Sequence, residues 1–149
     1  MKNTKRIILN SIRCPDGTIL ISHSVHDYKE HKDRNNLVYM VDGGHDYLRR
    51  NTHNHAPYEE LSIYDDAPFE IIRDNYYRGT WDKEGNRIWI KMSEMTDSHL
   101  KNCIIYNIDR GLEANCFSNE LYQKEIEYRK KNKITIQDTI QEGIQDDKN

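Results

Sequence analysis

Between Tyr39 and Arg50 the chain reads Tyr-Met-Val-Asp-Gly-Gly-His-Asp-Tyr-Leu-Arg-Arg, which sets an imidazole, two carboxylates and two guanidinium groups around a pair of glycines. Adjacent glycines reach positive φ without the penalty a side chain imposes, and they let a ligand or a second segment approach the backbone. Asp42-Gly43-Gly44 can form an anion-binding nest. No Gly-x-Gly-x-x-Gly and no P-loop lysine follows, which removes the standard dinucleotide and triphosphate fingerprints. Arg49 and Arg50 close to Tyr47 combine guanidinium groups with an aromatic ring, a pairing that can hold a phosphate while a base stacks. In the scaffold alternative the arginines pair with Asp46, Glu59 or Glu60, and Tyr47 and Leu48 anchor the segment to the core.

The triplet His45-Asp46-Tyr47 echoes His26-Asp27-Tyr28. An aspartate can orient an imidazole through one ring nitrogen, but Ser22, Ser24 and Ser62 stand in no nucleophile elbow. The candidate ligand-binding set is therefore His26, His45, Asp46, Tyr47, Arg49 and Arg50, with no catalytic residue assigned. Six of the seven histidines, from His23 to His55, fall early in the chain. Neither His-Glu-x-x-His nor a Cys/His quartet is present, so no metal and no cofactor is assigned. His53-Asn54-His55 is not the signature of an HNH nuclease. Glu59, Glu60, Asp65 and Asp66 read as a solvated acidic loop before a helix, and Trp81 and Trp89 as a packing pair across a hairpin.

The elements that position these groups follow from local patterning. Lys5 to Cys14 and Thr18 to Ser22, separated by Pro15-Asp16-Gly17, form a β-hairpin. A third strand is expected from His26 through Tyr28, and a fourth over Leu37–Val41, ending at the glycine pair. Arg49 to Tyr58 reads as a loop. Pro68 to about Tyr77 suits a short helix, Gly79–Trp81 and Arg87–Met92 a second hairpin. Thr96 caps a helix that buries Leu100, Cys103, Ile104 and Ile108, and Ser118 caps another that ends near Arg129-Lys130-Lys131. This order predicts an α+β fold, an antiparallel sheet of hairpins and meander with C-terminal helices packed on one face. A single domain over residues 1–136 is expected, followed by a polar, frayed tail over 137–149.

The 149 residues are 36% hydrophobic and 32% charged, with a net charge of −3. That balance supports a modest core and supplies no overall field for nucleic acid or an anionic membrane. No run of eighteen apolar residues suggests a membrane span, and the first residues lead into a strand rather than a signal-peptide core, so a cytoplasmic location is expected. Cys14, Cys103 and Cys116 are too few and too irregular for a disulfide framework. Ten tyrosines against two phenylalanines favour surfaces that combine apolar contact with hydrogen bonding.

Val41-Asp-Gly-Gly-His-Asp-Tyr-Leu-Arg-Arg50, with Ser24-Val-His-Asp-Tyr28 upstream and Met92-Ser-Glu-Met-Thr-Asp-Ser-His-Leu-Lys-Asn-Cys103 downstream, resembles a group of small bacteriophage and prophage proteins. The resemblance runs from about Cys14 to Ile108. Some members carry early cysteine pairs suited to zinc, whereas Cys14 stands alone here. It implies an accessory protein of the infected bacterial cytoplasm. By analogy with such proteins, the expectation is a non-enzymatic host-defence antagonist that sequesters a nucleotide-derived immune signal, with a homo-oligomer as a possible form. The alternatives are a protein–protein inhibitor of a host defence enzyme, or a metal-dependent nuclease or phosphohydrolase using His26, His45, Asp46 and His53.

Overall fold

The first strand, β1 (Ile7–Arg13), is buried along its whole length except at Arg13, because partners flank it on both edges. The computed structural model describes residues 5–51 and 53–138. β2 (Ile19–Ser22) pairs antiparallel with β1 in the register Asn10↔Ser22 and Arg13↔Ile19. The connecting turn closes through Cys14 N–H donating to the Thr18 carbonyl (2.8 Å), and Gly17 supplies φ +95°. Tight reversal with positive φ is the reason for glycine there.

β3 (Lys29–Lys32) and β4 (Val38–Asp42) form an antiparallel pair, with β5 (Arg49–Arg50) on the far edge of β4. The strand expected at His26–Tyr28 is instead a turn. Asp27 N–H donates to the Ser24 carbonyl, and the Asp27 carboxylate accepts from His23 N–H at 2.8 Å, which curls the chain before Lys29. The loop expected over Arg49–Tyr58 begins with the short β5, and two further short strands follow it. β6 (Glu59–Glu60) and β7 (Ile63–Tyr64) both pair with β1, with a register shift between Ile7 and Leu9. Ile12, Cys14, Tyr39 and Val41 make the core between β1 and β4, with Leu20, Leu37 and Tyr58 against it.

Pro68 precedes α1 (Phe69–Arg73), which stops before β8 (Tyr77–Trp81) rather than reaching Tyr77 as a helix. β8 and β9 (Arg87–Lys91) form the second hairpin. Contacts divide the chain into two compact units, Met1–Trp89 and Ile90–Asn149. The elements together are antiparallel sheets and three helices, an α+β fold.

In the second unit a 3-10 turn at Met92–Glu94 leads to α2 (Asp97–Asp109) and α3 (Phe117–Asn132). The Thr96 hydroxyl accepts from His99 N–H at 3.1 Å, as its place before the helix requires. Leu100, Cys103 and Asn107 form the buried stripe of α2, whereas Ile108, expected on that face, is exposed. α3 starts two residues earlier than expected. Cys116 is its N-cap and makes no side-chain cap bond, and the Ser118 hydroxyl instead accepts from Asn107 Nδ2 at 3.0 Å. Leu121, Tyr122, Glu125 and Arg129 line the buried side of α3. Burying that ion pair is tolerable because Arg129 is saturated: it donates to Glu125 (2.7 Å), to Asp97 (2.7 Å) and to the Met92 carbonyl (3.1 Å). From residue 139 onward the expected polar tail lies outside the described residues.

Candidate functional site

Asn10 is the one residue of β1 whose side chain ties the double-glycine turn to the sheet. Its Nδ2 donates to the carbonyls of Asp42 (3.0 Å), Gly44 (2.9 Å) and Tyr47 (3.0 Å). An amide nitrogen has two hydrogens, so one of these three bonds is shared. From β2, the Ser22 hydroxyl accepts from Gly44 N–H at 2.9 Å and donates to the Asp27 carbonyl at 2.7 Å. Gly43 and Gly44 have φ +104° and +53°; a Cβ on the first would run into the Tyr47 carbonyl, and on the second into the Ser24 backbone. The glycine pair is thus required by close packing of the protein on itself.

The candidate ligand residues of this segment divide accordingly. Arg50 makes a forked pair with Glu60, Nε to Oε1 at 3.1 Å and Nη2 to Oε2 at 2.8 Å, and also donates to Ser62. Burial pushes the Glu60 carboxyl up, yet the bonds from Arg50 and Ser62 hold it below its ordinary range. Arg49 pairs with Asp42 at 3.0 Å while its side chain stays 62% exposed. His45 stacks on Tyr76, with centroids 5.1 Å apart. Burial lowers its pKa, against the opposing pull of a bond to the Ile8 main chain. Tyr47, expected to pack inward, is 45% exposed and lies over Gly43; Asp46 and His26 are exposed in turns. His53 Nε2 donates to the Val38 carbonyl at 2.9 Å, since a carbonyl can only accept. Among the described residues, no group of three His, Cys, Asp or Glu side chains is placed to hold a metal ion.

A more open constellation lies on the second hairpin. The Arg87 guanidinium sits over Trp81 at 4.6 Å and over Trp89 at 5.4 Å from the ring centroids. Trp89 also stacks on the His23 imidazole, 4.7 Å away and 8° from parallel, and Tyr77 meets His23 edge-on at 4.9 Å. The contacts run His23, Trp89, Arg87, Trp81, a ladder of three rings and one cation. Gly79 makes room for it, because a Cβ there would stand 2.6 Å from Arg87 Nη1 and 2.9 Å from the Trp89 ring. The tryptophans, expected to pack on one another, are bridged by Arg87 instead.

Burial, assisted by the nearby Lys29 charge, lowers the His23 pKa to about 4, despite Asp27 pulling upward. The ring is therefore neutral near pH 7. Its Nδ1, 3.6 Å from the Asp27 carboxylate and without a hydrogen bond, makes a neutral contact there rather than an ion pair. Neutrality suits its place against Trp89, two steps from a permanent guanidinium charge. Trp81 ends the ladder 62% exposed, with the Arg87 guanidinium over its ring. His23 and the glycine turn are neighbours, since His45 lies close enough to disfavour charge on His23.

Trp81, Arg87 and Trp89 were visible in sequence only as a hairpin's aromatic and basic residues. The signal for their joint arrangement is the small residue Gly79 within an aromatic strand. Asn10 escaped notice, although a polar residue inside Ile-Ile-Leu-Asn-Ser-Ile is the pattern that marks it. No protein-family model matches this chain, and comparison with curated proteins and with solved structures likewise finds no match, so the candidate site rests on its own geometry.

Proposed function

We propose that this chain is a non-enzymatic binding protein for a nucleotide-derived ligand, whose base stacks on Trp81 at the open end of the ladder. The observation that carries this reading is the half-covered indole backed by Arg87. A guanidinium behind an aromatic ring orients it, and Arg87 supplies charge complementary to phosphate. The phage-protein resemblance supplies the setting, an accessory protein of the infected bacterial cytoplasm that removes an immune signal by binding it. The pairing of Arg50 with Glu60 moves the emphasis from that arginine to the hairpin.

Tryptophan fluorescence tests the reading directly, because the chain has two tryptophans and both belong to the ladder. Titration with cyclic oligonucleotides and ADP-ribose derivatives is expected to give saturable quenching. Trp81→Ala should weaken the bound compound by roughly tenfold or more, the scale of one base–aromatic stack. Absence of saturable quenching across the panel, or unchanged affinity in the variant, would overturn it. A second reading, inhibition of a host protein by direct contact, is favoured by the exposed Ile105, Tyr106, Ile108 and Leu112 of α2 and the turn after it. A host protein that co-purifies in fixed ratio and is lost on Ile105→Asp would support that reading.

A further inference from the structure

In the second unit the start of α2 and the end of α3 enclose a pocket of about 340 Å³. That volume lies within the range of small-molecule sites. Its wall carries Lys101, Lys130 and Lys133 around the apolar side chains of Ile126 and Ile134. Arg129 and Asp97 form the back and satisfy each other at 2.7 Å, and the other Arg129 donors are taken by Glu125 and the Met92 carbonyl. Their charges are therefore spent within the protein. Among the described residues none of the three lysines pairs with a carboxylate.

Three lysines on the wall of one concavity repel one another. At the end of α3, Lys130 and Lys133 also find the partial negative charge of the helix terminus, which explains two cations there. Lys101 is the fifth residue of α2, past the first turn on which the dipole acts, so the dipole does not account for its place in the pocket wall. A bound anion does account for all three. We propose that this pocket binds a small phosphate ester, its phosphate oxygens held by Lys101, Lys130 and Lys133 and its organic part resting on Ile126 and Ile134. Ammonium groups act as point charges that adapt to several phosphate oxygens, and the two isoleucines give an otherwise polar cavity an apolar wall. This site is separate in residues and in kind from the aromatic ladder.

The test is a 1H–15N titration of the full chain with inorganic pyrophosphate, the charged part of such a ligand, at low ionic strength. Shifts confined to the amides of residues 97–101 and 129–135, saturating at millimolar concentration or below, are the expected result. The double variant Lys101→Gln, Lys130→Gln changes only exposed side chains and should weaken binding at least tenfold while leaving the remaining spectrum in place. A phosphate ester with an apolar group, phenyl phosphate, should bind more tightly than inorganic phosphate. No saturable shift with pyrophosphate up to about 10 mM, tenfold above the expected millimolar limit, would overturn the proposal. So would shifts that persist in the double variant, equal binding of phenyl phosphate and phosphate, or stronger perturbation of the same amides by a hexaglutamate peptide.

Discussion

Lowering the pH should destabilise the first unit in a window set by His23. Its folded pKa of about 4 lies below the ordinary 6.5, so in this range the unfolded chain binds a proton that the folded chain refuses. Stability from this source is complete above pH 6.5 and is lost as pH falls toward 4, the sign expected for a depressed folded pKa. The displacement corresponds to about 1.4 kcal/mol lost by pH 5.5 and about 2.5 kcal/mol by pH 4.5. His45, lowered in the same direction by burial, adds to the loss over the same range. The carboxylates Asp27 and Glu60, whose folded pKa values are also depressed, begin to add their own loss only as pH falls to their ordinary values of 3.8 and 4.5, at the acid end of this window. Urea denaturation followed by tryptophan fluorescence at pH 7.5, 6.5, 5.5 and 4.5 measures the effect where both indoles reside. His23→Gln is less stable at neutral pH for want of the stack, but its pH dependence should flatten to the part left by His45. A wild-type midpoint constant from pH 7.5 to 4.5, or an NMR titration of the His23 ring near 6.5, would refute the reasoning.

Gly44→Ala should destabilise by about 3 kcal/mol or more, because backbone must move to admit the methyl group. Gly17→Ala, at φ +95° with open space around it, should lose only about 1–2 kcal/mol of backbone strain; equal melting shifts for the two would contradict the packing account. Asn10→Ala strands three carbonyls and should cost roughly 2–4 kcal/mol in denaturant titration, with Asn10→Asp worse because a carboxylate would face those oxygens. Arg129→Met leaves the buried Glu125 carboxylate without its partner and should cost about 3–5 kcal/mol at pH 7, whereas the double change with Glu125→Leu should recover much of it. Arg49→Ala, an exposed partner of Asp42, should change stability by less than about 1 kcal/mol.

Strong local signals carried most elements. Pro15-Asp16-Gly17 marked the first turn, the glycine pair ended β4, and Thr96 capped α2, each through chemistry confined to a few residues. β5, β6 and β7 were not legible. Each is two residues long, with no room for a period-2 pattern, and exists because β1 and β4 present edges to it. The α2 face was misjudged at Ile108 because helical spacing offers two overlapping stripes, and packing against α3 chose the one containing Asn107.

The candidate site shows the same division. Local sequence was enough to establish an α+β chain, a glycine turn at Asp42–Gly44 and a hairpin bearing Trp81, Arg87 and Trp89, since backbone preference and short-range patterning act within a few residues. Only the tertiary structure decided that Arg50 is spent on Glu60, that Asn10 holds the glycine turn, and that His23 completes a stack on Trp89. Those choices join residues between ten and sixty-six positions apart, and which charge finds which partner is settled by the strand pairing that brings them within a few ångströms.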